Sequence, residues 1–117
     1  MTNTKENQAC IFCTLLESLR PNEFLYIDDL IFVINDISQV APTHVLIIPK
    51  NHDTVLGDPH SESSVTRIIM IANQMATNLG IEKSGYRLVL NQGPDSGQQV
   101  AHLHMHLIGG ATLGTIG

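Results

Sequence analysis

His102-Leu103-His104-Met105-His106-Leu107-Ile108 decides how the rest of this chain is read. Three of the six histidines stand at strict two-residue spacing, and a large apolar residue follows each. In a β-strand, residues i, i+2 and i+4 share one face. The spacing therefore predicts a strand with three imidazoles on one side and Leu103, Met105 and Leu107 turned into a core on the other. Each buried ring must find partners for two nitrogens, a demand that simple packing gives no reason to meet three times over. Just upstream, Asn91-Gln92-Gly93-Pro94-Asp95-Ser96-Gly97-Gln98 has the residues of a sharp loop. Such a loop delivers backbone amides beside the histidines, and Gly109-Gly110 ends the strand.

Working outward, 117 residues with 43% hydrophobic content suffice for one domain with one core. The net charge is −5, and no two Lys or Arg residues are adjacent. That composition argues against an extended nucleic-acid or anionic-membrane surface. It leaves room for a small anionic ligand held by amides and imidazoles. Residues 1–9 read as a flexible polar leader without the apolar stretch of a signal peptide, and no segment reaches membrane-spanning length. The expected compartment is the cytoplasm, where Cys10 and Cys13 would not form a structural disulfide.

Cys10 to Leu19 has helical apolar spacing and ends before Pro21. Phe24 to Asp28 and Leu30 to Asn35 read as a hairpin. His44 to Pro49 reads as a buried strand. Asn51 to Pro59 is a polar loop, and His52 and His60 read as exposed residues without a role. Ser61 to Leu79 keeps the 3.6-residue period of a long helix, with Gly80 placed to stop it. Tyr86 to Asn91 is a further strand before the histidine strand, and 111–117 forms a short tail. The expected class is α+β, a mostly antiparallel five-stranded sheet with helices packed on one face.

Two chemistries fit three imidazoles on a strand. Two or three could ligate a catalytic metal, since neutral imidazole is a ready zinc ligand. Alternatively one ring is a nucleophile toward phosphorus, its neighbours fixing its tautomer while loop amides bear developing charge. Cys10-Ile11-Phe12-Cys13 is equally open on its own: two buried thiols, a redox pair, or half of a four-ligand zinc site.

The His102–Ile108 motif resembles the histidine-triad signature, His-φ-His-φ-His-φ-φ. Asn91–Gln98 and Gly109-Gly110 are similar to the Hint branch of that superfamily. Asp36-Ile37-Ser38 with Ala41-Pro42-Thr43-His44-Val45-Leu46-Ile47-Ile48-Pro49-Lys50 resembles its second signature, so the likeness spans residues 10–110. It implies a nucleotide hydrolase acting at the α-phosphate on purine nucleoside 5′-phosphoramidates, with no catalytic metal. By resemblance, His104 forms a nucleotidyl-histidine intermediate, and His106, His102 and His44 complete the catalytic set. Asn91, Gly97 and Gln98 would lie at the phosphate and Asp36 at the ribose. Ile11, Phe12, Leu15, Ile34 and Ile37 would line the base slot. Gln99 stands where relatives carry Ser or Thr, and the chain has no Trp, which Hint relatives carry in the tail.

The resemblance also implies structural zinc on Cys10, Cys13, His44 and His102, and a homodimer whose two sheets join. The helix 61–79 agrees with a dimer: Ile68, Ile69, Ile71, Ala72, Met75 and Leu79 make a wider apolar face than one sheet requires, and 86–91 is a candidate edge strand. The alternatives are a diadenosine polyphosphate hydrolase or nucleotidyl transferase of a sister branch, and a nucleotide-binding or interaction protein with little turnover.

Overall fold

The computed structural model describes residues 10–116; the expected leader 1–9 and the final glycine of the tail lie outside the described residues. Helix α1 (Ile11–Ser18) is followed by β1 (Tyr26–Ile27), β2 (Ile31–Asn35) and β3 (Thr43–Pro49). Helix α2 (Glu62–Asn78), β4 (Tyr86–Leu90) and β5 (Met105–Gly109) complete the order. The strands form one sheet in the order β1-β2-β3-β5-β4, antiparallel throughout. Short 3-10 turns at Pro21–Glu23, Pro59–Ser61 and Pro94–Ser96 punctuate the connections. Residues 111–116 carry no regular element.

The helices lie on opposite faces of the sheet, not on one. The continuous apolar runs of β2 and β3 explain this. Ile31, Val33, Val45 and Ile47 pack with Ile68, Ile71, Ala72, Met75 and Ala76 of α2. Phe32, Ile34, Leu46 and Ile48 point the other way and pack with Phe12, Leu15 and Leu16 of α1. An antiparallel sheet wet on one face alternates apolar with polar; these strands do not, so both faces must be covered. Helix α2 buries i, i+3, i+4, i+7 and i+8 from Ile68, the stripe its period requires. Gly80, at a φ of +77°, ends it as expected, and the N–H of Ile81 closes back on the carbonyl of Ala76.

Two further expectations are corrected. The last strand begins at Met105, after His102 and His104. Pro49 of β3 has no N–H to extend the ladder, and its carbonyl is taken by the His102 ring (2.6 Å). The in-and-out alternation still holds: Leu103, Met105 and Leu107 enter the α2 core. Met75 is not on a shared surface but in that core, 4% exposed. The apolar residues α2 leaves outside are Ile69 and Met70, and Leu79 at its C-cap is also exposed. β4 is an edge strand, as expected, in the order of the sheet.

Candidate active site and metal centre

The face of the sheet under α1 holds every group singled out for chemistry, in two clusters joined by His104. At the end of β3 where Thr43 pairs with Gly109, Asp36, His44 and His106 converge. His44 Nε2 lies 2.8 Å from His106 Nδ1 and 3.3 Å from Asp36 Oδ2. Around Pro49, at the opposite end of β3, stand Cys10, Cys13, His52 and His102, with their ligand atoms all within 4.8 Å of one another.

Hydrogen bonds to the backbone assign the protons. The N–H of Val40 donates to His44 Nδ1 (3.2 Å). The proton of neutral His44 is then on Nε2, from which it is donated to His106 Nδ1. His106 is left with its proton on Nε2. His104 Nδ1 lies 2.8 Å from the carbonyl of His102, and a carbonyl only accepts, so Nδ1 carries the proton. The lone pair of His104 is therefore on Nε2. His102 Nε2 donates to the carbonyl of Pro49, which leaves the Nδ1 lone pair facing Cys10 Sγ at 3.4 Å and Cys13 Sγ at 3.6 Å.

This geometry tests the fit to a metal. Two sulfurs, the Nδ1 lone pair of His102 and His52 Nδ1, 3.4 Å from Cys13 Sγ, form a four-donor set of the kind zinc takes. The carbonyl behind His102 is the usual outer partner of a metal-bound imidazole. The expected set of Cys10, Cys13, His44 and His102 is corrected in one member. His44 is at the far end of β3, about 17 Å along the strand from Pro49, and bonded within the other cluster. His52, expected as an exposed loop residue, takes its place and is half-buried. The Asp36–His44–His106 group does not suit a metal, because His44 Nε2 holds the proton that its other nitrogen cannot take.

A cleft of about 510 Å³ opens over His44, His104 and His106. Ile11, Phe12, Leu15, Ile34 and Ile37 line its apolar side, and Asp36, Asn91 and Gly97 its polar side. Phe12 is buried with its ring edge-on to His104, centroids 4.9 Å apart, whereas Ile37 is fully exposed at the rim. Gln98 does not border the cleft. Its amide oxygen accepts from the N–H of Gly93 and its NH2 donates to the carbonyl of Val100, stapling the loop. Gln99 borders the cleft instead. Gly97 closes the 3-10 turn at a φ of +84°, where a side chain would be strained.

Burial is the main force on the His106 ring and holds its pKa below the ordinary histidine value. Charge on His104 or His44 would repel a further proton, and Asp36 opposes the shift only in part. Burial likewise lowers His102, against the pull of the Pro49 carbonyl. Both rings are neutral at pH 7.

An antiparallel five-stranded sheet with a histidine-lined cleft on one face defines a class, and the comparisons agree. The HIT domain family matches residues 18–113, and the chain belongs to that family. It is 41% identical over 109 residues to the purine nucleoside phosphoramidase of Escherichia coli (strain K12), covering 92% of each chain. A HIT family hydrolase from Clostridium thermocellum superposes with a TM-score of 0.84 at 39% identity, covering 93% of this chain and 96% of that one. A Zn-bound histidine triad family protein from Mycobacterium smegmatis superposes with a TM-score of 0.70 at 27% identity, covering 87% of this chain and 75% of that one. No helix among the described residues is long and apolar enough to cross a membrane.

Proposed function

We propose that this chain hydrolyses purine nucleoside 5′-phosphoramidates through a nucleotidyl-histidine intermediate on His104. The single observation that carries the reading is the bond from His104 Nδ1 to the carbonyl of His102, which frees the Nε2 lone pair of a cleft-lining ring. In the first step the Nε2–phosphorus bond forms as the phosphorus–nitrogen bond of the substrate breaks, and the amine leaves with a proton. His106, with its proton on Nε2, is the hydrogen-bond donor at hand for the leaving nitrogen or a phosphoryl oxygen, and the proton that the amine carries off comes from solvent. Water then attacks phosphorus and returns one proton to solvent, the Nε2–phosphorus bond breaks with its electron pair going back to His104, and the nucleoside monophosphate departs. Asp36 receives the ribose hydroxyls; the N–H of Ser38 holds its Oδ1 (2.8 Å) and His44 Nε2 stands 3.3 Å from its Oδ2, so the carboxylate is fixed at the edge of the cleft. Asn91 and Gly97 serve the phosphate, and the apolar side holds the base. His44 keeps His106 in its working tautomer.

The likeness to the E. coli phosphoramidase supports the substrate class. Adenosine 5′-phosphoramidate should be converted to AMP and ammonia. Cleavage of diadenosine polyphosphates with no action on the phosphoramidate would move the chain to the sister branch. AMP binding without turnover of either would leave an interaction protein.

Cys10, Cys13, His52 and His102 would hold a structural zinc, which ties the N-terminal end of α1 to the sheet; no step of the reaction uses it. The retained thiols fit the cytoplasm. A homodimer would cover Ile69 and Met70 and pair the β4 edges across a two-fold axis. Light scattering should give twice 12.8 kDa, and Met70→Glu should shift the population toward monomer. A wild-type mass near 12.8 kDa would remove the dimer.

A further inference from the structure

The thiol pair brackets two cleft residues. In Cys10-Ile11-Phe12-Cys13 both intervening side chains line the cleft, and the Phe12 ring stands edge-on to His104. Eight residues of helix are too few to hold themselves in water, and Cys10, at the N-cap of α1, makes no capping bond with its side chain. The place of Phe12 therefore depends on its packing against Phe32, Ile34, Leu46 and Ile48 and on what holds the cysteines on either side of it. A second path runs through His102. Its ring faces the sulfurs, while its carbonyl accepts the proton of His104 Nδ1. Each path is one residue long.

We propose that the Cys10–Cys13–His52–His102 site, filled by a zinc-class divalent ion, governs the nucleotide cleft as well as the fold. Its occupancy sets the affinity for the nucleotide and holds His104 in the Nδ1–H tautomer. Cys10, Cys13 and His52 are then positioning residues, acting through Phe12 and His102. The inference rests on the nucleotide reading of the cleft. Linkage makes it reciprocal: nucleotide must tighten the ion by the same factor that the ion tightens nucleotide.

The experiment compares wild-type protein carrying one zinc per chain with the same protein stripped by a chelator. AMP affinity is read by calorimetry, and the His104 ring nitrogens by 15N NMR at one fixed pH. Stripping should weaken AMP about 10-fold, within the usual range of coupled sites. It should also average the two ring-nitrogen signals of His104. One equivalent of Zn²⁺ should restore both, and AMP should slow zinc loss to the chelator. His52→Ala, which keeps both cysteines and His102, is measured beside it and should behave as the stripped protein does. Ile71→Val, in the opposite core, controls for loss of stability alone and should leave AMP affinity unchanged. Equal AMP affinity and an unchanged His104 spectrum in folded, zinc-free protein would overturn the proposal. Zinc-loaded protein that binds no AMP would instead overturn the nucleotide reading, and the His104 spectrum would still decide the coupling.

Discussion

His102 and His106 are four residues apart on one face, yet they are prepared for opposite tasks. Behind His102 stands a carbonyl, that of Pro49, which fixes the ring proton on Nε2 and turns a lone pair toward two sulfurs. Behind His106 stands the N–H of His44, which occupies the lone pair of Nδ1 and leaves a proton on the far nitrogen. One ring is made a ligand and the other a donor. The residue type is the same, and the difference is the polarity of the partner on the hidden nitrogen. His104, between them, has a carbonyl behind Nδ1 and so offers a lone pair to the cleft.

The largest effect should come from the ring that joins the two clusters. His104→Ala should lower kcat by four orders of magnitude or more, roughly 5 kcal/mol of barrier, while AMP still binds. Retention of most activity in a single-turnover assay would end the nucleophile assignment. Next, Cys13→Ser should reduce zinc content well below one per chain by elemental analysis. It should also lower stability by about 3 kcal/mol, the linkage contribution of a ligand well above its Kd. Zinc-free protein of unchanged Tm would return the thiols to packing.

His44→Ala sharpens the contrast between the clusters. It removes the donor to His106 and orphans the N–H of Val40, so kcat should fall about 10- to 100-fold with zinc content intact. A loss of zinc in His44→Ala would restore His44 to the metal set. The smallest effect is in pH. The folded pKa of His106 is below the ordinary 6.5, so between 6.5 and that lower value the unfolded chain binds a proton that the folded chain does not. Stability therefore falls as pH drops through that window, and neither state gains from His106 above it. An NMR titration of the His106 ring should likewise place its pKa below 6.5. In Asp36→Asn it should move lower still, because the carboxylate is the one neighbour that supports the charged ring. A His106 pKa above 6.5 in the wild type would show that burial does not govern the ring.

Much of this was legible before folding. The alternation His-apolar-His-apolar-His assigned the imidazoles to one face and Leu103, Met105 and Leu107 to the other, because a strand has period two whatever it pairs with. The α2 stripe and its end at Gly80 were legible for the same local reason. Opposite placement of the helices was also written in Ile31-Phe32-Val33-Ile34 and Val45-Leu46-Ile47-Ile48, runs with no polar face to leave wet. The expectation of helices on one face overlooked them. Gln98 and Gln99 could not be told apart by type. Gln98 turns its amide into the loop, held by the Gly93 and Val100 backbone, and Gln99 is the one that borders the cleft.

The zinc set shows where the boundary lies. Two cysteines at CxxC spacing and a surplus of histidines were enough to suggest four donors. The register of β3 against β5 then decided which histidines join them. His44 pairs opposite Ile108, so it meets His106 on the neighbouring β5 position. His52, three residues past the proline that ends β3, returns to His102 instead. By itself the sequence determined which side chains share a face, which helix carries a core, and that nucleophilic and metal-binding residues are present together. Only the tertiary structure decided which imidazole faces a sulfur, a carbonyl or an amide. Periodicity is a property of a few neighbouring dihedrals, whereas the ring protons of His102 and His106 answer to Pro49 and His44, 53 and 62 residues away, brought near only when the strands align.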